Sequence, residues 1–192
     1  MGAAAARSRQ DSTNVGSERE HTGRGFERAP SGVTVATLDR AALRARTREL
    51  VDVYLDAYRG LERYAYSGRR RVALYVRWLW RGDPEGFLVA FAGDRAVGFA
   101  GCHRSWESGE HGIEAELHEL VVVRDRHRQG VGSLLLRAVV ASARARGARA
   151  IGLAVASGNA RAQRFYERHG FRAEGTRGDW LRMRLDLGDE RS

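Results

Sequence analysis

Apolar residues change their spacing along this chain, and the changes mark its structural elements. In residues 32–38 apolar side chains alternate mildly with others, a pattern that predicts a short strand. Over residues 39–58 and 67–80 apolar side chains recur with helical spacing, which indicates two amphipathic helices. Asp39 is placed to cap the first helix, and a Gly82-Asp83-Pro84 turn follows the second. The first third of the chain is therefore predicted as strand, helix, helix.

The period then becomes that of strands. Residues 86–92 and 96–102 are two apolar runs joined by Gly93-Asp94, which is a hairpin signal. Residues 114–123 form the next strand, alternating at first and then fully apolar. The remaining pattern predicts a helix over 131–146, a strand over 150–156, a helix over 159–169 and two short strands within 171–187. This order indicates an α/β protein with a mixed sheet.

The organisation follows from length and composition. A chain of 192 residues has room for one ordinary domain and a tail. Residues 1–30 hold only Val15 and Phe26 as sizeable apolar side chains, so we expect a disordered tail before a single domain over 31–192. Neither a signal-peptide core nor a membrane span of roughly 18 apolar residues is found, and we expect a cytoplasmic protein with no membrane contact.

Metal chemistry is not expected. Cys102 is the only cysteine, which excludes an internal disulfide and a Cys-rich metal site. His103, His111 and His118 lack a recognised ligand spacing.

The basic residues are concentrated in one part of the chain. The net charge is +9, and residues 121–184 alone contain fourteen Arg and four acidic residues, whereas residues 31–120 are balanced. Such clustering indicates a polyphosphorylated cofactor or a nucleic acid as a partner. Because the arginines are not interleaved with aromatics in a recognised nucleic-acid motif, we regard nucleic acid as the weaker candidate.

A glycine segment, Arg128-Gln129-Gly130-Val131-Gly132, joins a predicted strand to a predicted helix. Unpaired N–H groups and the positive end of the helix dipole make such a turn a binding place for phosphate. Taken alone, the two glycines fit a simple packing turn equally well. The segment lacks the Gly-Lys-Ser/Thr ending of a Walker loop and the third glycine of a dinucleotide site.

A second segment runs from Asn159 through Phe165-Tyr166 to Gly170-Phe171, and it decides between the two interpretations of the glycine segment. With both segments in this order and at this separation, residues 31–187 resemble the GNAT superfamily of acetyl-CoA-dependent N-acetyltransferases. The resemblance implies a mostly antiparallel mixed sheet with helices on both faces and with strands 4 and 5 splayed apart. One departure is His127, which stands where the loop motif usually has Arg or Gln, and a second is Arg124, which replaces the proline common before the loop.

The resemblance also implies the residues that bind the cofactor. It places the pantetheine arm along Leu120, Val121 and Val122, with the Val122 N–H donating to the acetyl oxygen. It places the pyrophosphate on the backbone amides of Arg128, Gln129, Gly130, Val131, Gly132 and Ser133. Asn159 is expected to bond near the pantetheine or to cap its own helix, and it could do both. Tyr166 is expected to be the general acid, with a core aromatic as the alternative.

The general base is expected in the strand that precedes the cofactor site. Glu116, His118 and Glu119 are candidates there. The resemblance matches Glu116 to the base of one branch of the family and Glu119 to that of another, His118 has a suitable ordinary pKa, and of the three we prefer Glu116. Alternation places Glu116 and His118 on one face and Glu119 on the other, unless a bulge intervenes. For either carboxylate a salt-bridged or solvent-facing role is the alternative.

The implied function is acetyl transfer from acetyl-CoA to a primary amine by direct attack in a ternary complex. The alternative is a regulatory domain that binds coenzyme A without turnover. The acceptor amine could belong to a small molecule or a protein, and a homodimer stays open. Candidates for the acceptor cleft, for most of which core packing is the alternative role, are His103, Trp106, Glu107, His111, Tyr54, Tyr58, Trp78, Trp80 and Trp180.

Overall fold

A computed structural model describes residues 32–108 and 111–188. The predicted tail over residues 1–30 lies outside this range. The elements in chain order are β1 Val33–Thr37, α1 Arg40–Ala57, α2 Arg69–Gly82, β2 Phe87–Ala92, β3 Arg95–Ser108, β4 Gly112–Val122, α3 Val131–Ala145, β5 Ala150–Ala156, α4 Ala160–Arg168, β6 Arg172–Arg177 and β7 Trp180–Asp186. The predicted order of strands and helices is confirmed. No helix in the described residues is long and apolar enough to cross a membrane.

The seven strands form one sheet in the order β1-β2-β3-β4-β5-β7-β6. Neighbouring strands run antiparallel except β4 and β5, which are parallel. The parallel ladder pairs residues 115–117 with residues 151–153 and then stops, although both strands continue. The strands therefore separate beyond Leu117, which confirms the expected splaying and leaves a gap in the sheet.

Helices cover both faces of this sheet. A Cβ added to Gly101 in β3 would meet Leu79 of α2, whereas one added to Gly98 would meet Leu135 of α3. Since residues three apart in a strand point to opposite faces, α2 and α3 lie on opposite sides. Leu79 and Leu135 are fully buried, and such burial contributes about 1.5–3 kcal/mol per side chain. α1 packs against α2, and α4 reaches the start of α3 through Phe165.

A β-bulge interrupts the pairing of β3 with β4. Gly101 lies opposite Glu119 and Cys102 lies opposite Leu117, so His118 is the extra residue. The extra residue shifts the alternation by one position, and Glu119 thereby shares the α2 face with Gly101. Simple alternation, which placed Glu119 on the face opposite to Glu116, is corrected by this bulge.

Candidate active site

Two cavities open where β4 and β5 separate. We call the larger one, of about 630 Å³, the basic cavity, because it is lined by Arg126, Arg128, Arg161, Arg164 and Arg168. We call the smaller one, of about 450 Å³, the tyrosine cavity, because Tyr54, Tyr58, Tyr64, Tyr66, Tyr75 and Tyr166 line it. The two share Tyr58, Leu61, Leu120, Asn159, Ala162 and Tyr166. They are therefore the two halves of one cleft.

The basic cavity contains the glycine segment. Gly130 begins α3 with φ +80° and no side chain caps the helix, whose first backbone bond runs from the Leu134 N–H to the Gly130 carbonyl. The N–H groups of Val131, Gly132 and Ser133 consequently lack helical partners. A Cβ added to Gly130 would meet nothing within 4 Å, so this side of the turn is open. The uncapped turn fits an anionic group.

The charges around this turn agree with an anionic ligand. Five arginines and His127 line the basic cavity, and its described lining contains neither Asp nor Glu. Three of the arginines come from α4, where positions 161, 164 and 168 fall on one helix face. That helical spacing is visible in the sequence, although the two motifs alone do not draw attention to it. The lining suits a polyphosphate.

The edge of β4 offers backbone groups to the gap. The Val123 N–H donates to the Val97 carbonyl at 2.9 Å, and Val122 is the next residue in this antiparallel register. Since alternate residues of such a pair point their N–H and C=O groups away from the partner strand, the Val122 N–H points into the gap. The Val122 carbonyl accepts a bond from His127 Nε2 at 2.9 Å. His127, the departure from the family motif, thus contacts the strand edge directly.

Tyr166 lies where the two cavities meet. Its ring packs against Phe165 and Phe171, with centroids 5.2 and 5.5 Å away. Its hydroxyl has no hydrogen-bond partner in the described part of the chain and is not sealed off from the cleft. Burial, and next the charge of Glu119, raises the pKa of Tyr166. The phenol therefore keeps its proton at neutral pH and can donate it.

Asn159 caps α4, since its side-chain oxygen accepts a bond from the Ala162 N–H at 3.1 Å. Asn159 also lines both cavities. Because the oxygen makes the cap, the side-chain NH₂ group is left as a donor toward the cleft.

Glu119 is buried on the wall of the tyrosine cavity. The Tyr58 hydroxyl donates to its Oε1 atom at 3.1 Å. Burial raises the pKa of Glu119 to about 7, and this effect outweighs the hydrogen bond from Tyr58, which lowers it. A carboxyl group that gains and loses its proton near neutral pH is suited to general base chemistry.

Glu116 has a different environment. Arg182 of β7 donates to both of its carboxylate oxygens, from Nη1 at 2.5 Å and from Nη2 at 2.6 Å. The pair crosses β5 above Gly152, where a Cβ would clash with both side chains. Glu116 lines neither cavity of the cleft. The geometry therefore favours Glu119 over Glu116, the reverse of the preference from the sequence, and gives Glu116 the salt-bridged role.

His118 and His103 form a hydrogen-bonded pair behind the tyrosine cavity. His103 Nε2 lies 3.1 Å from the Leu79 carbonyl, and its Nδ1 lies 3.1 Å from His118 Nε2. Because a carbonyl only accepts, neutral rings must each carry their proton on Nε2. Burial is the main cause that lowers the pKa of His118 to about 3. His118 is thus a neutral hydrogen-bond acceptor through Nδ1 rather than a base.

The other candidates for the acceptor cleft divide into two groups. Tyr54, Tyr58 and Trp180 line the tyrosine cavity. The remaining ones do not line it, and they are His103, Trp106, Glu107, His111, Trp78 and Trp80. Trp78 and Trp106 instead pack around the histidine pair, and Trp80 donates to the Leu38 carbonyl at 2.8 Å. In the described residues no group of three His, Cys, Asp or Glu side chains could hold a metal ion.

Comparisons with known proteins agree with this geometry. Residues 47–171 match the model of the acetyltransferase (GNAT) family. An uncharacterized N-acetyltransferase of Methanocaldococcus jannaschii is 35% identical over 136 residues, which cover 70% of this chain but only 60% of that protein. An uncharacterized N-acetyltransferase of Archaeoglobus fulgidus is 39% identical over 119 residues, covering 62% of this chain and 81% of that protein.

Solved structures share the fold. PH1933 from Pyrococcus horikoshii superposes with a TM-score of 0.70 at 35% identity, covering 80% of this chain and 98% of PH1933. The PaiA N-acetyltransferase of Thermoplasma acidophilum, solved in complex with coenzyme A, has a TM-score of 0.64 at 20% identity, with coverage of 80% and 98%. At that identity the second likeness concerns the fold alone.

Proposed function

Because this chain belongs to the acetyltransferase (GNAT) family, we propose that it transfers an acetyl group from acetyl-CoA to a primary amine by direct attack in a ternary complex. One observation carries this proposal: the two halves of the cleft meet at Tyr166, whose hydroxyl has no partner in the described residues. Glu119 lines the half beyond it, with a pKa near 7. A proton donor, Tyr166, and a proton acceptor, Glu119, thus line the same cleft.

The basic cavity is the proposed place of the cofactor. The pyrophosphate would lie on the N–H groups of residues 128–133, with the cavity arginines balancing its charge. The Gln129 side chain already donates to the Asp125 carbonyl at 2.8 Å, so Gln129 would contribute its backbone alone. Leu120, Val121 and Val122 line the same cavity and would hold the pantetheine arm along the free edge of β4. The Asn159 NH₂ group would donate beside that arm.

Acetyl-CoA, when bound, supplies an acetyl thioester; the chain supplies proton transfer and charge stabilisation. Glu119 accepts the proton that the amine must lose before its nitrogen can bond the acetyl carbon. The Val122 N–H donates to the acetyl oxygen while negative charge develops there. As the carbon–sulfur bond breaks, Tyr166 would donate its proton to the departing sulfur, and the resulting phenolate would take the proton that the newly bonded nitrogen still carries, which restores the phenol. Each such proton transfer typically accelerates a reaction by roughly 10²–10⁴-fold.

The proposal is tested with the full-length protein, acetyl-CoA and a panel of primary amines. Release of the coenzyme A thiol and formation of the acetylated amine, followed by mass spectrometry, should rise together and require the amine. Thiol release without an acetylated product would contradict amine acetylation. Tight coenzyme A binding without turnover of any amine would instead favour a regulatory domain that binds coenzyme A.

A further inference from the structure

All six tyrosines of the chain line the tyrosine cavity. They come from α1, from the segment between α1 and α2, from α2 and from α4, and Trp180 of β7 joins them. Several rings contact one another, with centroids 4.7 Å apart for Tyr54 and Tyr58 and 4.8 Å apart for Tyr66 and Tyr75. Aromatic walls of this kind fit a ligand with a planar apolar group, and a volume of about 450 Å³ fits a small ligand.

The cavity carries little charge. Glu119 and Arg63 are the only Asp, Glu or Arg side chains in its described lining, and His118 is neutral. The acidic residues of α1, such as Asp52 and Asp56, line a separate groove and not this cavity. A polyamine or aminoglycoside would bring several ammonium groups to a single carboxylate and would leave the others desolvated without a partner. The charge pattern therefore fits an acceptor with one amine.

Arg63 is the positively charged residue in the described lining of the tyrosine cavity, opposite in charge to ionised Glu119. Its guanidinium lies over the ring of Tyr64, 4.4 Å from the centroid, and Tyr64 meets the edge of Trp180 at 6.1 Å. Arg63 has no carboxylate partner in the described part of the chain, whereas Arg104, Arg182 and Arg184 are each paired with acids. An unpaired guanidinium held against a cavity wall is suited to bind a carboxylate of a ligand.

We propose that the acceptor is a small aromatic compound with one primary amine and one carboxylate, of the aromatic amino acid class. The amine lies toward Glu119, the ring lies among the tyrosines, and the carboxylate pairs with Arg63. This inference rests on the proposed function, because it assigns the acceptor of that same reaction.

The test uses three amines: phenylalanine, phenethylamine, which lacks the carboxylate, and spermidine. With the wild-type protein we expect phenylalanine to give the highest kcat/KM, roughly five-fold above phenethylamine, since an exposed ion pair contributes little more. Arg63→Gln should remove this advantage by lowering kcat/KM for phenylalanine roughly five-fold more than kcat/KM for phenethylamine. Arg77→Gln, which changes an exposed arginine of α2 outside every cavity wall described above, is the matched control and should preserve the preference.

Calorimetric binding of phenylalanine to the protein saturated with coenzyme A gives a readout that needs no turnover. Preference for spermidine would overturn the acceptor class and still support acetyl transfer to an amine. Equal use of the two aromatic amines, unaffected by Arg63→Gln, would overturn the carboxylate assignment. Phenylalanine binding without turnover of any amine would count against acetyl transfer while supporting the assignment of the cavity, and the absence of phenylalanine binding would overturn that assignment.

Discussion

The Tyr58 hydroxyl lies 3.1 Å from Oε1 of Glu119 and joins the C-terminal end of α1 to the bulge of β4. The bulge turns this carboxyl group toward the helices, and the helices bury it. Because burial disfavours the charged carboxylate, the pKa of Glu119 is raised to about 7. Rate and stability should both depend on this one proton.

The rate of acetyl transfer should rise with pH up to about 7, because Glu119 accepts a proton only when ionised. Glu119→Gln should lower kcat by about 100-fold and abolish the rise. The measurement is kcat/KM against pH for wild type, Glu119→Gln and Glu116→Gln. The Glu116 variant should keep the rise, and loss of the rise in that variant instead would make Glu116 the base.

Stability should depend on pH in the opposite direction. Between the ordinary carboxyl pKa of 4.5 and about 7, folded Glu119 holds a proton that the unfolded chain has released. The unfolded state therefore binds fewer protons, and this group's contribution to the free energy of unfolding falls by about 3 kcal/mol as pH rises through that window. Urea unfolding at pH 5 and pH 8 should show Glu119→Gln gaining stability relative to wild type at the higher pH. Glu107→Gln, at an exposed site in β3, should show no such gain.

Tyr166→Phe should lower kcat by about 100-fold with little change in the Kd for coenzyme A. The hydroxyl makes no hydrogen bond to the described residues, so its removal should leave the Tm at or above the wild-type value. Stopped-flow or steady-state kinetics, calorimetry and thermal unfolding give the three quantities. Unchanged kcat would make Tyr166 a wall residue only.

Gly130→Val should abolish measurable coenzyme A binding, because a branched side chain would enter the open turn at the start of α3. The matched control is Gly147→Val, just beyond the other end of α3. Both glycines have positive φ, +80° and +86°, and open space around a Cβ, so both variants incur similar backbone strain. Only Gly130 lines the basic cavity. Equal loss of affinity in the two variants would show that strain, not occupation of the turn, is responsible.

The His118 ring should stay neutral with its proton on Nε2 throughout the range from pH 5 to pH 8. Its low pKa keeps the ring uncharged, and the hydrogen bond to His103 Nδ1 places the proton on Nε2. Nitrogen-15 NMR of the imidazole rings distinguishes the two neutral tautomers from the charged form. A protonation step of His118 within that range would contradict its low pKa, and a proton on Nδ1 in place of Nε2 would contradict the hydrogen-bond chain to the Leu79 carbonyl.

The order of elements could be predicted from the hydrophobic pattern, and the splayed strands from the family resemblance that the two motifs carry. Changes of hydrophobic period mark each element, and two local motifs point to the cofactor half of the cleft. These signals are local, since each depends on residues close together in the chain. The spacing of the three α4 arginines is also a local signal of this kind.

The acceptor half was less accessible to sequence reasoning because it depends on contacts between distant segments. Glu116 and Arg182 are 66 positions apart, and the pairing becomes visible only when β4, β5 and β7 lie side by side. A bulge leaves no mark in a pattern of period two, so the orientation of Glu119 could not be fixed. The six tyrosines likewise come together only in the folded chain.

The short ladder between β4 and β5 has a mechanical consequence. Strands β1–β4 and strands β5–β7 are two continuously paired parts of the sheet, and within the sheet only three residue pairs join them. We expect a ligand that fills the gap and hydrogen-bonds to the edge of β4 to hold the two parts of the sheet together. Because β4 and β5 both contribute to the wall of the tyrosine cavity, we expect such a ligand to hold that wall in place as well.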